Sequence, residues 1–119
     1  MSPILIVDDE SNMRFLVRIT LENAGYDVIE AHHGAAALER TKEGRPQMIV
    51  TDLMMPVMGG RELIERLRAD PETATIPILV LSGNEGLVAD GADAALPKPF
   101  DPEALIESVL TLSQKGDAP

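Results

Sequence analysis

Four short apolar runs end abruptly on residues that carry or handle charge. Ile4-Leu5-Ile6-Val7 runs into Asp8-Asp9, and Met48-Ile49-Val50-Thr51 into Asp52. Ile78-Leu79-Val80-Leu81 runs into Ser82, and Ala94-Ala95-Leu96-Pro97 into Lys98-Pro99. Short apolar runs separated by helical stretches are the pattern of parallel strands buried on both faces. Sheets of that kind collect their ligands outside the carboxyl ends of the strands. The pattern therefore predicts one pocket shared by three acids, a hydroxyl and an amine.

The stretches between the runs read as helices. Met13, Leu16, Val17, Thr20, Leu21 and Ala24 recur at spacings of three and four, which predicts an amphipathic helix closed by Gly25. Residues 26–31 read as the second strand. Gly34 opens an Ala-rich helix over 35–43 that closes at Gly44. Residues 47–52 form the third strand, and Leu63, Ile64 and Leu67 give the next helix its apolar stripe before Pro71 stops it. The fourth strand follows Pro77, and a short fifth lies near 93–96. Asp101-Pro102 supplies an N-cap acceptor and an N1 proline to a last helix with Leu105, Ile106, Val109 and Leu110 on its inner face. Five such βα units predict a doubly wound, five-stranded parallel sheet of order 2-1-3-4-5, in one domain spanning 1–119.

Composition narrows the function. The chain has 119 residues, of which 45% are hydrophobic, enough for one packed core and too many for disorder. Ten Lys and Arg against twenty Asp and Glu give a net charge of −10, which disfavours direct binding to nucleic acid or to an anionic membrane. With no Cys there is neither a disulfide framework nor a thiolate metal site. No apolar run is long enough to span a membrane, and no signal-peptide pattern precedes the first strand, so the expected location is the cytoplasm.

The predicted pocket has a definite chemistry. Acids ~4 Å apart repel by roughly 4 kcal/mol per pair at an effective dielectric of 20. Either a proton is shared among Asp8, Asp9 and Asp52, or a cation sits between them. All-oxygen ligands select a hard cation, Mg²⁺ or Mn²⁺, over Zn²⁺. A cation beside a carboxylate is also what phosphoryl transfer needs, with Asp52 as nucleophile forming an acyl phosphate. Lys98 suits one phosphoryl oxygen and the Ser82 hydroxyl another. Each residue alone has a plainer reading: Asp8-Asp9 as a helix start, Asp52 and Ser82 as turn residues, Lys98 as a solvated charge. Their joint placement at four of five strand ends favours the pocket.

The strings ILIVDDE (4–10), IVTDLMMPVMGG (49–60), ILVLSG (78–83) and GADAALPKPF (91–100) resemble the receiver domains of two-component response regulators, the CheY-like family. The resemblance covers essentially the whole chain. It implies a phosphoacceptor at Asp52, charged by a phosphohistidine of a sensor histidine kinase or a phosphotransfer protein. It implies Mg²⁺ held by Asp9, Asp52 and the backbone carbonyl of Met54, with Asp8 assisting. Ser82 would be the switch hydroxyl, Lys98 the phosphoryl-binding lysine, and Lys98–Pro99 a cis peptide bond. The expected protein is a regulator and not an enzyme, with at most self-phosphorylation from phosphodonors and autodephosphorylation. It would be a monomer or weak dimer acting on an output protein that the sequence does not name.

Three positions depart from the family pattern. Ala95 stands where an inward-swinging aromatic is common, and Gly59 where an Asp usually caps the following helix. The stretch from Ser82 to Lys98 is short by about six residues, or roughly 1.7 helical turns. It carries Gly83, Gly86 and Gly91, so the fourth of the five expected helices is read as a stub or an irregular segment. Segment 83–91 is expected to become ordered when Asp52 is phosphorylated. Two alternatives follow: a pseudo-receiver that binds partners without a phosphate switch, and a phosphatase using an aspartyl nucleophile. The second conflicts with Met54, which occupies the position where a general acid is needed. His32 and His33 read as exposed loop, and Met54, Met55 and Met58 as packing for the loop near Asp52.

Overall fold

The computed structural model describes residues 2–53, 55, 58–83 and 91–116, the last three in backbone only. Strands β1 (Ile4–Val7), β2 (Val28–Ala31), β3 (Met48–Asp52), β4 (Ile78–Ser82) and β5 (Ala94–Pro97) form one sheet. Helices α1 (Ser11–Asn23), α2 (Gly34–Gly44), α3 (Gly60–Ala69) and α4 (Pro102–Gly116) connect and flank them. All pairings are parallel, in the order β2-β1-β3-β4-β5. The doubly wound sheet expected from the apolar runs is the observed one.

Alternate residues of β1, β3 and β4 feed two cores. Leu5, Val7, Ile49, Ile78 and Val80 pack with Ala37 of α2 and Leu63, Ile64 and Leu67 of α3. Ile4, Ile6, Met48, Val50, Leu79 and Leu81 pack with Val17 and Leu21 of α1 and Leu105, Val109 and Leu112 of α4. Burial on both faces is why these strands show no polar alternation. Each fully buried aliphatic side chain contributes about 1.5–3 kcal/mol of transfer free energy.

The helices correct the sequence reading in three places. Leu16 of α1 is 52% exposed, and Thr20 and Ala24 are not buried either, so the inner face narrows to Met13, Val17 and Leu21. In α4 the buried set is Leu105, Val109 and Leu112, while Ile106 is half-buried and Leu110 is 49% exposed. Ile106 and Leu110 each follow a buried residue by one position, about 100° round the helix. Gly44 lies inside α2, and the left-handed C-cap is Arg45, at φ 40°.

Helix α1 closes as expected. Gly25 has φ 96°, its N–H bonds the carbonyl of Glu22, and the Tyr26 N–H bonds that of Leu21. That pair is a Schellman closure, and it draws Tyr26 out of β2, which starts at Val28. At α4, the Asp101 carboxylate accepts the Glu103 N–H at 3.1 Å, as the N-cap expectation required.

Arg68 of α3 anchors the start of β5. Its guanidinium donates to the carbonyls of Ala74, Ile76 and Gly91, and to the Asp93 carboxylate at 2.8 Å. Asp93 in turn accepts the Ile78 N–H and donates its own N–H to the Ile78 carbonyl. Gly91, at φ 90°, passes so close to α3 that a Cβ there would lie 2.9 Å from Ile64. The expected stub or irregular fourth helix, and the segment 83–91 expected to become ordered, rest on residues 84–90, which lie outside the described residues.

Candidate functional site

Register brings the chemistry together. Val7 pairs with Thr51, Asp52 with Leu81, and Ser82 with Pro97. The strands therefore end at nearly one level, and Asp8, Asp52, Ser82 and Lys98 emerge side by side.

Asp8 is 2% exposed. Its N–H bonds the Ala31 carbonyl on β2, and its own carbonyl accepts from Arg14 Nη1 at 2.7 Å. One carboxylate oxygen accepts the Glu10 N–H at 2.9 Å, a local Asx turn. The other lies 2.9 Å from Lys98 Nζ, which is also 3.4 Å from Asp52 Oδ2. Asp9 is exposed and approaches from the rim. Carboxylate oxygens of Asp8, Asp9 and Asp52 lie within 4.8 Å of one another. At an effective dielectric of 20, each pair at that separation repels by about 3.5 kcal/mol. Lys98 bridges Asp8 and Asp52 but, among the described residues, no ion pair reaches Asp9.

Burial opposes the charge of Lys98, but its hydrogen bond and ion pair with Asp8, followed by those with Asp52, outweigh this and raise its pKa. The ammonium is therefore charged at neutral pH, a fixed positive end opposite the acids. Its backbone N–H bonds the Ser82 carbonyl at 2.7 Å, so Ser82 and Lys98 are tied across β4 and β5. Ser82 is buried, at 4% exposure. The Lys98–Pro99 peptide is cis, as the resemblance implied. The donor set fits a hard divalent cation: three carboxylates, no sulfur and no imidazole. The backbone carbonyl of Met54, the expected fourth protein ligand, lies outside the described residues.

Several contributors were invisible in the sequence reading. Gly60 opens α3 directly against the end of β3, where a Cβ would lie 2.3 Å from the Asp52 carbonyl oxygen. Gly34 likewise leaves room for Met58, whose side chain a Cβ would approach to 2.7 Å. Met58 is buried and Met55 packs at the edge of the same core, so these two methionines do pack near Asp52 as expected, while Met54 lies outside the described residues. His33 is not simple exposed loop: it is half-buried, and its Nδ1 accepts the Ala36 N–H at 3.0 Å as the N-cap of α2. Gly59 is the N-cap of α3 and supplies no side-chain cap, in line with its departure from the family pattern. Ala95 is exposed on β5.

Comparison with known proteins gives one consistent answer. Residues 4–110 match the family model of the response regulator receiver domain. The DNA-binding dual master transcriptional regulator RpaA of Synechocystis is 40% identical over 98% of this chain, which spans only 51% of RpaA. Chemotaxis protein CheY1 of Helicobacter pylori strain J99 is 35% identical, covering 96% of this chain and 98% of CheY1. Among solved structures, response regulator TrrA of Thermotoga maritima, in complex with Mg²⁺-BeF, superposes with a TM-score of 0.86. It is 30% identical, covering 94% of this chain and 99% of TrrA.

Proposed function

The chain belongs to the response regulator receiver domain family, and from that premise we propose that Asp52 accepts a phosphoryl group from a phosphohistidine. The donor would be a sensor histidine kinase or a histidine phosphotransfer protein. An Asp52 carboxylate oxygen attacks phosphorus, the P–N bond to the donor imidazole breaks, and the freed imidazole takes up a proton. The product is an acyl phosphate on this chain, with no separate substrate turned over. We therefore read it as a regulator and not an enzyme, and residues 1–119 as a single receiver domain.

The observation that carries this reading is Lys98 Nζ, 2.9 Å from Asp8 and 3.4 Å from Asp52, at the edge of a three-carboxylate cluster. Receiver domains bind Mg²⁺ at such an acidic pocket. In this chain Asp9 and Asp52 would hold Mg²⁺ or Mn²⁺, with Asp8 and the Met54 carbonyl assisting, and the ion would offset charge on the transferring group. Lys98 would leave Asp52 for a phosphoryl oxygen, and the Ser82 hydroxyl would donate to another. The ordered ion pairs make Lys98 ready for that exchange, since one acceptor oxygen replaces another.

The chain spans about half the length of RpaA but nearly all of CheY1. Output through a separate partner protein is the proposal here. Among the described residues no helix is long and apolar enough to cross a membrane. A pseudo-receiver reading draws on Ala95, which cannot transmit a ring movement. The intact acid cluster and Lys98 favour phosphate control over it.

The test is intact mass after treatment with a small acyl phosphate donor and Mg²⁺. The wild-type chain gains one phosphoryl group, and Asp52→Ala gains none. Equal uptake by Asp52→Ala contradicts the assignment.

A further inference from the structure

Arg14 reaches the backbone of the acid cluster from outside it. Its Nη1 donates to the Asp8 carbonyl at 2.7 Å, and its Nε to Glu30 Oε1 at 3.2 Å. The other Glu30 oxygen is taken by Arg18. Glu30 sits on β2, opposite Ile6 of β1. The peptide groups on both sides of the Asp8 Cα are thus fixed from β2: the N–H by the Ala31 carbonyl, the carbonyl by Arg14 held on Glu30.

The two acids depend on this unequally. The Asp8 side chain has its own anchors in the Glu10 N–H and Lys98. The Asp9 carboxylate is exposed and makes no hydrogen bond or ion pair among the described residues. Only its backbone aims it, and the peptide that joins it to Asp8 is the one Arg14 grips. We infer that Arg14 is a positioning residue for the divalent cation, acting by fixing the Asp8–Asp9 peptide and so the direction of Asp9. The inference rests on the cation site proposed above. A planar guanidinium bonds a carbonyl and a carboxylate at once, which a lysine ammonium on a flexible stem does not reproduce.

A rival account predicts the opposite sign. Arg14 carries positive charge near a cation site, so through charge alone its removal would tighten cation binding. Through position, removal loosens it. Calorimetric titration of the full chain with Mg²⁺ separates the two. Arg14→Met and Arg14→Lys are expected to weaken Mg²⁺ binding by at least about tenfold, the lower end of the range for groups that orient metal ligands. Arg18→Met removes a cation from the same Glu30 without touching Asp8, and is expected to leave Mg²⁺ affinity unchanged. Metal-free melting curves, read in parallel, are expected to show similar small losses for Arg14→Met and Arg18→Met. Unchanged or tighter Mg²⁺ binding by Arg14→Met overturns the inference, as does an equal weakening by Arg18→Met. Asp9→Ala identifies the level of failure. If it loses Mg²⁺ while Arg14→Met does not, only the positioning role falls. If it binds Mg²⁺ as the wild type does, the cation site falls and the positioning role with it.

Discussion

Gly60 and Lys98 set the tolerances of the site at the scale of single residues. A methyl group at Gly60 would meet the Asp52 carbonyl at 2.3 Å and the Leu53 Cα at 2.8 Å, both backbone atoms that cannot swing aside. Gly60→Ala is expected to cost about 1–3 kcal/mol by overpacking and to displace Asp52. Urea denaturation would give the loss, and a cost below the error of that measurement would contradict the close approach. Lys98→Ala strips the ammonium from Asp8, whose side chain is 3% exposed. Removing one partner of a buried pair costs about 3 kcal/mol or more, so the metal-free melting temperature should fall markedly. Added Mg²⁺ should recover part of that loss. Sequence alone placed Asp8, Asp9, Asp52, Ser82 and Lys98 because each sits where an apolar run stops. It did not reveal Gly60, because a glycine pair in a loop reads equally well as a turn. Nor did it reveal Arg14, whose role depends on the distance between a helix and a carbonyl in another segment.

Helix ends and faces show where sequence periodicity runs out, and why. The spacing rule located α1 and α4 but spread their inner faces too wide, admitting Leu16, Ile106 and Leu110. A run of apolar residues at adjacent positions leaves the rotation of a helix undetermined until its neighbours are known. His33 was missed as a cap because imidazole is not among the preferred N-cap side chains, although its place just before Gly34 gave a usable signal. At the other end of α2, Arg45 holds a left-handed conformation that costs an L-residue roughly 1–2 kcal/mol. Glycine would avoid that strain while adding about 0.5–1 kcal/mol of chain entropy to be lost on folding. Arg45→Gly should therefore raise stability slightly, by about 0.5–1 kcal/mol, seen as a later urea midpoint. A lower midpoint would mean that Arg45 makes compensating contacts.

The fold and the charge balance act together across the whole molecule. Parallel pairing in the order 2-1-3-4-5 was legible because buried strands are nearly all apolar and short links leave few topologies. The same register that aligns the strands also concentrates carboxylates in a chain already at −10. The metal-free fold thus carries a repulsion that the proposed cation would relieve. Mg²⁺ should raise the melting temperature in a concentration-dependent way, as expected for a ligand of the folded state alone. Asp9→Ala should abolish that rise while increasing the metal-free melting temperature, because one repelling charge is gone. A Mg²⁺ effect that survives Asp9→Ala would place the ion elsewhere.

On the proposed reading, these strand ends form one cation-dependent phosphoacceptor at Asp52. The most direct test is to trap the acyl phosphate. The chain is treated with a small phosphodonor, with and without Mg²⁺, reduced with borohydride to convert a phosphorylated aspartate to homoserine, and mapped by peptide mass. Homoserine at position 52, formed only in the presence of Mg²⁺, is the predicted result. Homoserine at Asp8 or Asp9 instead, or equal conversion at Asp52 without a divalent cation, would contradict it.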